Sequence, residues 1–189
     1  EADLFNTVAR PVTSTTPVKL PTDCLGAALA NAGTLAEPYY VASNLFFIGG
    51  SSLRPSLYCK GNGFNEDGAV STAKPLVENI EGLQLGYGTA KALTAVSDVA
   101  SAVVAGYLTT DEVLTEASMA NLANDAERWA KVITVRICVL VRSEARVAPN
   151  SASAQYLNCD GKTELTPPDL RLRRAYTAPV VLRNRRFSS

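Results

Sequence analysis

Between Ala130 and Arg142 the chain alternates with a period of two. Ile133, Val135, Ile137, Val139 and Val141 fall on one face, and Thr134, Arg136, Cys138 and Leu140 on the other. Successive side chains of a strand point to opposite faces, so this is the pattern of a half-buried strand. Its expected partner is Leu172 to Leu182, where Tyr176, Ala178, Val180 and Leu182 alternate with more polar positions. A third strand is expected at the end of Pro75 to Gly88, with Leu83, Leu85 and Tyr87 on one face and Gln84 and Gly86 on the other. Leu4 to Val12 reads as a strand ending at Pro11. The β-branched and aromatic run within Pro38 to Gly50 reads as strand too, with a turn at Ser43-Asn44 folding it into a hairpin. Leu57-Tyr58-Cys59 is a shorter strand.

Helical spacing recurs at Met119, Leu122, Ala123, Ala126 and Ala130, which predicts a short amphipathic helix leading to Trp129. Ahead of it, Thr109-Thr110-Asp111-Glu112 has the form of a capping box, with Leu108 and Val113 at the two staple positions. Trp129 stands where the helix ends and the most apolar strand begins, so it is expected as a core anchor. Cys24 to Gly33 reads as a helical turn or a loop. Thr13 to Pro21, Lys60 to Gly68 and Ser143 to Asp169 read as loops, and Lys91 to Gly106 as an irregular insertion. Residues 1–189 form a single domain on this reading. It is an α+β fold dominated by antiparallel sheet, with long loops and short helices.

The composition narrows the function. With 189 residues, 47% of them hydrophobic, the chain is long and apolar enough to bury a core. Eighteen basic and eighteen acidic side chains cancel. General nucleic-acid binding, which relies on a basic surface to displace counterions, is not expected. There is no histidine, so Ser-His-Asp and Cys-His catalysis are excluded within these residues, and the commonest metal ligand is missing. The apolar runs are too short to cross a bilayer as a helix. Glu1-Ala2-Asp3-Leu4 reads as the interior of a longer protein.

Candidate chemistry is sparse. No phosphate-binding glycine loop is present, and Gly86-Tyr87-Gly88 is too short for a nucleotide fingerprint. Asn65-Glu66-Asp67-Gly68 has a fragment of a calcium loop but lacks its alternating ligands and distal glutamate, so an ordinary turn is expected. Asp160-Gly161 is a turn signal, and Asp111 and Glu112 are explained by helix capping. Arg171, Arg173, Arg174, Arg183, Arg185 and Arg186 are possible contacts for an anion or a partner, although charges that protect a strand edge explain them more simply. No catalytic residue, metal ligand or cofactor is expected. Cys24, Cys59, Cys138 and Cys159 form no C-x-x-C pair. Their even number and wide spacing point to two disulfides in an oxidising compartment.

Five segments carry a resemblance to a known family. Trp129 to Ser143 is similar to the tryptophan-led strand of PilW-type minor pilins of the type IV pilus, and Leu172 to Arg185 resembles the closing segment of that family. Thr22 to Gly26, Leu57 to Cys59 and Pro75 to Gly88 resemble its other recurring segments, in the family's order. The chain departs from the family at Ala92 to Gly106, where a shorter, aspartate-rich stretch is usual. The resemblance implies a pilin-like fold whose long N-terminal hydrophobic helix is absent from these residues. It also implies a similarity to the J-type minor pseudopilins of type II secretion. The expected role is that of a structural subunit in a pilus tip or priming complex that promotes assembly. The expected partners are other minor pilins and the major pilin. Before assembly the full-length protein would be held in the inner membrane by that helix, and afterwards it would be periplasmic or extracellular. A tip-carried binding module (an adhesin or DNA receptor) is the alternative, and a histidine-free secreted enzyme a third. Four cysteines allow three pairings. The pairing expected is Cys24–Cys59 with Cys138–Cys159, neither bond crossing between the halves of the chain.

Overall fold

A computed structural model describes residues 4–11, 20–34, 36–90, 104–115, 122 and 124–182. Its first sheet contains β1 (Leu4–Pro11), β2 (Tyr39–Ser51), β3 (Arg54–Lys60) and β4 (Lys74–Glu78), each antiparallel to the next in that order. The turn expected at Ser43-Asn44 does not form. β2 runs straight through both residues, opposite Thr7 and Asn6. A full ladder with β1 gives this backbone its hydrogen bonds, and that outweighs a local turn preference. The hairpin turn lies instead at Ser52-Leu53, after Gly50 at a φ of 89°.

The two sheets share one stretch of chain. β4 ends at Glu78 and β5 (Ile80–Ala90) begins after the single residue Asn79, whose φ is 61°. Asparagine is among the few residues that enter this left-handed region readily. Here it turns the strand out of the first sheet and into the second. The second sheet has the order β10 (Arg173–Val181), β7 (Val132–Arg142), β5, β6 (Val104–Leu108), again antiparallel. Val104 to Gly106 therefore belong to a strand and not to an irregular insertion. Lys91 to Val103 lie outside the described residues.

Two short helices follow β6. The first, α1 (Thr110–Thr115), has the capping box: the Glu112 N–H donates to Thr109 Oγ1 at 3.3 Å, and the Thr109 N–H to Glu112 Oε2 at 2.7 Å. These hydrogen bonds hold the exposed Glu112 carboxyl below its usual pKa, the backbone bond first. The second, α2 (Asp125–Ala130), is capped by the side chain of Asn124. Met119 and Ala123, expected on this helix, lie outside the described residues. Val113 of the staple is fully buried and meets Val132, with Leu108, Leu122, Tyr87, Trp129 and Leu182 packed around them. Between β7 and β10 the chain forms a 3-10 turn (Ala152–Ala154) and a small ribbon, β8 (Tyr156–Leu157) against β9 (Thr163–Glu164).

Burial on β7 does not follow the hydrophobic pattern. On the less apolar face Thr134, Cys138 and Arg142 are buried and Arg136 and Leu140 half-buried, while on the apolar face Ile133 is buried but Val135, Ile137, Val139 and Val141 are only half-buried. The loop from Ser143 to Leu172 explains the covered face. It is fastened there by a disulfide and by the ion pair of Asp169 with Arg173, and its Ala148 and Ala154 are buried.

Candidate assembly surface and the clamps that hold it

The corner at Asn79 is locked by Arg142. Its backbone N–H donates to the Asn79 carbonyl at 2.9 Å. Its guanidinium donates to the Ser52 and Leu53 carbonyls in the β2–β3 turn, and to Glu81 Oε1 at 3.0 Å. One side chain from the second sheet thereby holds the hairpin turn of the first. Glu81 reaches this position through a β-bulge: Ile80 pairs with Val141 and Gly82 with Leu140, so Glu81 is the extra residue. A bulge re-aims a side chain that regular alternation would send to the other face.

Arg173 completes the cluster. Its Nε lies 2.6 Å from Glu81 Oε2 and its Nη1 2.8 Å from Asp169 Oδ1. Both arginines are nearly sealed from solvent, at 6% for Arg142 and 8% for Arg173. Glu81 and Asp169 thus give each buried cation a carboxylate partner, Asp169 being shared with Arg171, and such pairing is the condition for tolerating buried charge at all. Burial opposes the Arg173 charge, but the hydrogen bonds with Glu81 and Asp169 outweigh it and raise its pKa. The hydrogen bond from Arg173 holds the Asp169 carboxyl below its usual value of 3.8. The Tyr156 ring lies beside Arg173, and burial pushes its hydroxyl up.

A second clamp ties the N-terminal loop to the first sheet. The carboxylate of buried Asp23 accepts from the N–H groups of Leu25, Ala27 and Gly63. A Cβ at Gly61 would overlap this carboxylate. The neighbouring Cys24 is bonded to Cys59 on β3. Cys24 to Gly33 is accordingly a loop with isolated bridges and not a helical turn. Cys138 on β7 is bonded to Cys159.

The other residues expected to matter fall as follows. Trp129 is half-buried at the end of α2, edge-on to Tyr87 with ring centroids 4.8 Å apart. Arg173, expected as a possible partner contact, is instead buried in the ion-pair cluster with Glu81 and Asp169. Arg171 is likewise engaged, with Asp169 at 3.4 Å and the Ser143 carbonyl. Arg174 is exposed on β10 beside the Tyr176 ring, and Arg183, Arg185 and Arg186 lie outside the described residues. Asn65 to Gly68 forms a turn closed by Gly68 N–H to the Asn65 carbonyl, and Asp160-Gly161 sits in the β8–β9 turn organised by Asn158. Among the described residues no group of acids and cysteines has metal-binding geometry, and no helix is long and apolar enough to cross a membrane.

Glu81, Arg142, Asp169 and Asp23 were not singled out from the sequence. A charge inside an otherwise apolar strand was the available signal for Glu81 and Arg142. Asp23 lies in Thr22 to Gly26, one of the segments that carry the resemblance, and for Asp169 there is no such signal.

What remains open is part of the apolar face of the second sheet. Leu83 and Ile133 on that face are buried and Tyr87 packs under the helices, but Leu85, Val135, Ile137, Val139 and Val141 are only half-buried, and on β10 Tyr176 is 52% and Val180 45% exposed. The pairing puts Tyr176 opposite Val139, and Val180 opposite Val135, so they extend one continuous face across the sheet edge.

The segments that carry the family resemblance meet at these clamps: Asp23 and Cys24 at Cys59, and Glu81 at Arg142 and Arg173. No curated protein and no solved structure matches the chain. The family model of type IV pilus-assembly protein W matches residues 39–184. That span takes in β2 through β10, the Cys138–Cys159 bond and the whole ion-pair cluster, and the chain belongs to the PilW family of type IV pilus-assembly proteins.

Proposed function

We propose that this chain is the globular part of a minor pilin, a structural subunit of the tip or priming complex that starts pilus assembly. The observation that carries the reading is the half-buried apolar face of the second sheet. A strand as apolar as β7 normally gives its apolar side to the core, and contiguous exposed apolar surface marks a contact with another element or another protein. Here a long N-terminal helix covers that face in the full-length, membrane-anchored protein, as in a pilin-like subunit. The partners are other minor pilins and the major pilin, in the periplasm and then at the cell surface. Such a role works through surfaces, and the charged residues nearest to a cluster are committed to holding the fold. The subunit is on this reading not an enzyme.

The test is made in the bacterium. Deleting the gene reduces surface pili, and the tagged full-length protein co-purifies with other pilus subunits. Charged substitutions at Ile137 and Val139 on the half-buried face abolish complementation while leaving Arg174→Ala active. Normal piliation in the deletion strain, together with no pilus subunit in the purified material, overturns the reading.

A further inference from the structure

The covered face of the second sheet carries a groove of its own. It lies beside the Cys138–Cys159 bond and is lined by Gln84, Gly86, Tyr107, Arg136 and Asp160 among others. Arg142 and Arg173 are paired with Glu81 and Asp169, but among the described residues no carboxylate lies within ion-pair distance of the exposed Arg174 or of Arg136. Arg136 is nevertheless held in place. Its Cζ lies 4.5 Å from the centroid of the Tyr107 ring, and it is half-buried. Gly86 lets it lie low on the strand: a Cβ there would come within 3.4 Å of Arg136 Nε and 3.3 Å of Tyr107 Cβ.

A guanidinium stacked on an aromatic face has lost much of its rotational freedom before any ligand arrives, and its planar fork matches a carboxylate. Partial burial strengthens the attraction, because water screens it less. Asp160 lines the same groove, on the turn tethered by Cys159. It accepts hydrogen bonds and disfavours a bare anion. The occupant must therefore present an acceptor to one residue and a donor to the other. A polyphosphate or nucleic-acid backbone, with negative charge throughout, does not meet that condition.

We propose that this groove binds an extended acidic segment of a partner protein, with a Glu or Asp carboxylate on Arg136 and a backbone N–H on Asp160. This surface is separate from the half-buried apolar face, so it stands or falls independently of the pilin reading.

The experiment uses the disulfide-intact chain, labelled for NMR, at low ionic strength. The probe is the capped peptide acetyl-Gly-Ala-Glu-Ala-Gly-amide, followed at the Arg136 Nε–Hε and Tyr107 ring resonances. Saturable shifts are expected, with affinity at least about tenfold weaker for the peptide carrying Gln in place of Glu, since a charged acceptor roughly doubles the strength of the bond. Arg136→Gln should abolish the peptide-induced shifts of the Tyr107 ring while leaving the rest of the spectrum unchanged. Asp160→Asn should weaken the peptide but strengthen sodium acetate. Equal shifts with the Glu and Gln peptides, persistence in Arg136→Gln, or no saturation overturns the assignment. So does binding of a Gln peptide with a free terminal carboxylate in preference to the Glu amide, which would make the site one for a chain terminus.

Discussion

Arg142 and Arg173 stand directly opposite each other on β7 and β10, and their two guanidinium groups share the carboxylate of Glu81. Like charges placed opposite one another across a ladder destabilise it. Here the arrangement is stable because the β-bulge delivers Glu81 between them and Asp169 neutralises the second cation.

Glu81→Gln should therefore be among the most damaging single substitutions. It leaves two buried cations short of a counter-charge, and breaking such a cluster costs about 3–5 kcal/mol. Glu78→Gln on the exposed strand β4, three residues away, should change stability by less than about 0.5 kcal/mol. Urea unfolding of the two variants makes the comparison, and equal effects would remove the cluster's structural role.

Acid should weaken the same cluster through Asp169. Its folded-state pKa is depressed below the ordinary 3.8. The stability it contributes is thus fully present above the unfolded-state value and is lost as pH falls through the folded-state one. Asp169→Asn should flatten the fall in stability below about pH 4 and cost about 1.5–3 kcal/mol at neutral pH, the range for a hydrogen bond to a charged group. An unchanged acid limb in this variant would contradict the assignment.

The two disulfides close loops with sequence separations of 35 and 21. In the chain-entropy model each contributes about 3–4 kcal/mol through the unfolded state. The paired variants Cys24→Ser/Cys59→Ser and Cys138→Ser/Cys159→Ser should each lose about that much. Peptide mapping without reduction should recover only these two cross-links, and any peptide joining Cys24 or Cys59 to Cys138 or Cys159 would refute the pairing.

Trp129→Ala should cost about 2–4 kcal/mol, below the usual figure for a fully buried tryptophan because this one keeps part of its surface in water. The loss comes from packing around Val113 and Val132 and from the edge contact with Tyr87. Trp129→Phe, which retains a ring, should recover more than half of it. A Trp129→Ala variant with wild-type thermal stability would show that the residue serves recognition.

The strands were legible because their signals are local. Period-two alternation located β7, β5 and β10, and the capping box with its staple fixed the start of α1 to the residue. The misplaced hairpin shows the limit of such signals. Ser43-Asn44 has turn chemistry, but β1, more than thirty residues earlier in the chain, supplies a ladder that keeps β2 extended. Asn79 is the converse case. It is a corner between two sheets, and although asparagine is permissive of that turn, Glu78-Asn79-Ile80 does not say that the strands on either side join different sheets.

By itself the sequence determined the fold class, the strand pattern, the exclusion of histidine-based chemistry and the kinship with pilus-assembly proteins, because each depends on residue type, spacing or segment order. Only the tertiary structure decided which face of β7 is covered. It also showed that Arg173 is buried in ion pairs and that Arg136 has none among the described residues. Those properties depend on where Glu81, Asp169 and the Cys159 loop arrive from distant parts of the chain. Burial and charge pairing are set by neighbours in space, and no period along the chain encodes them.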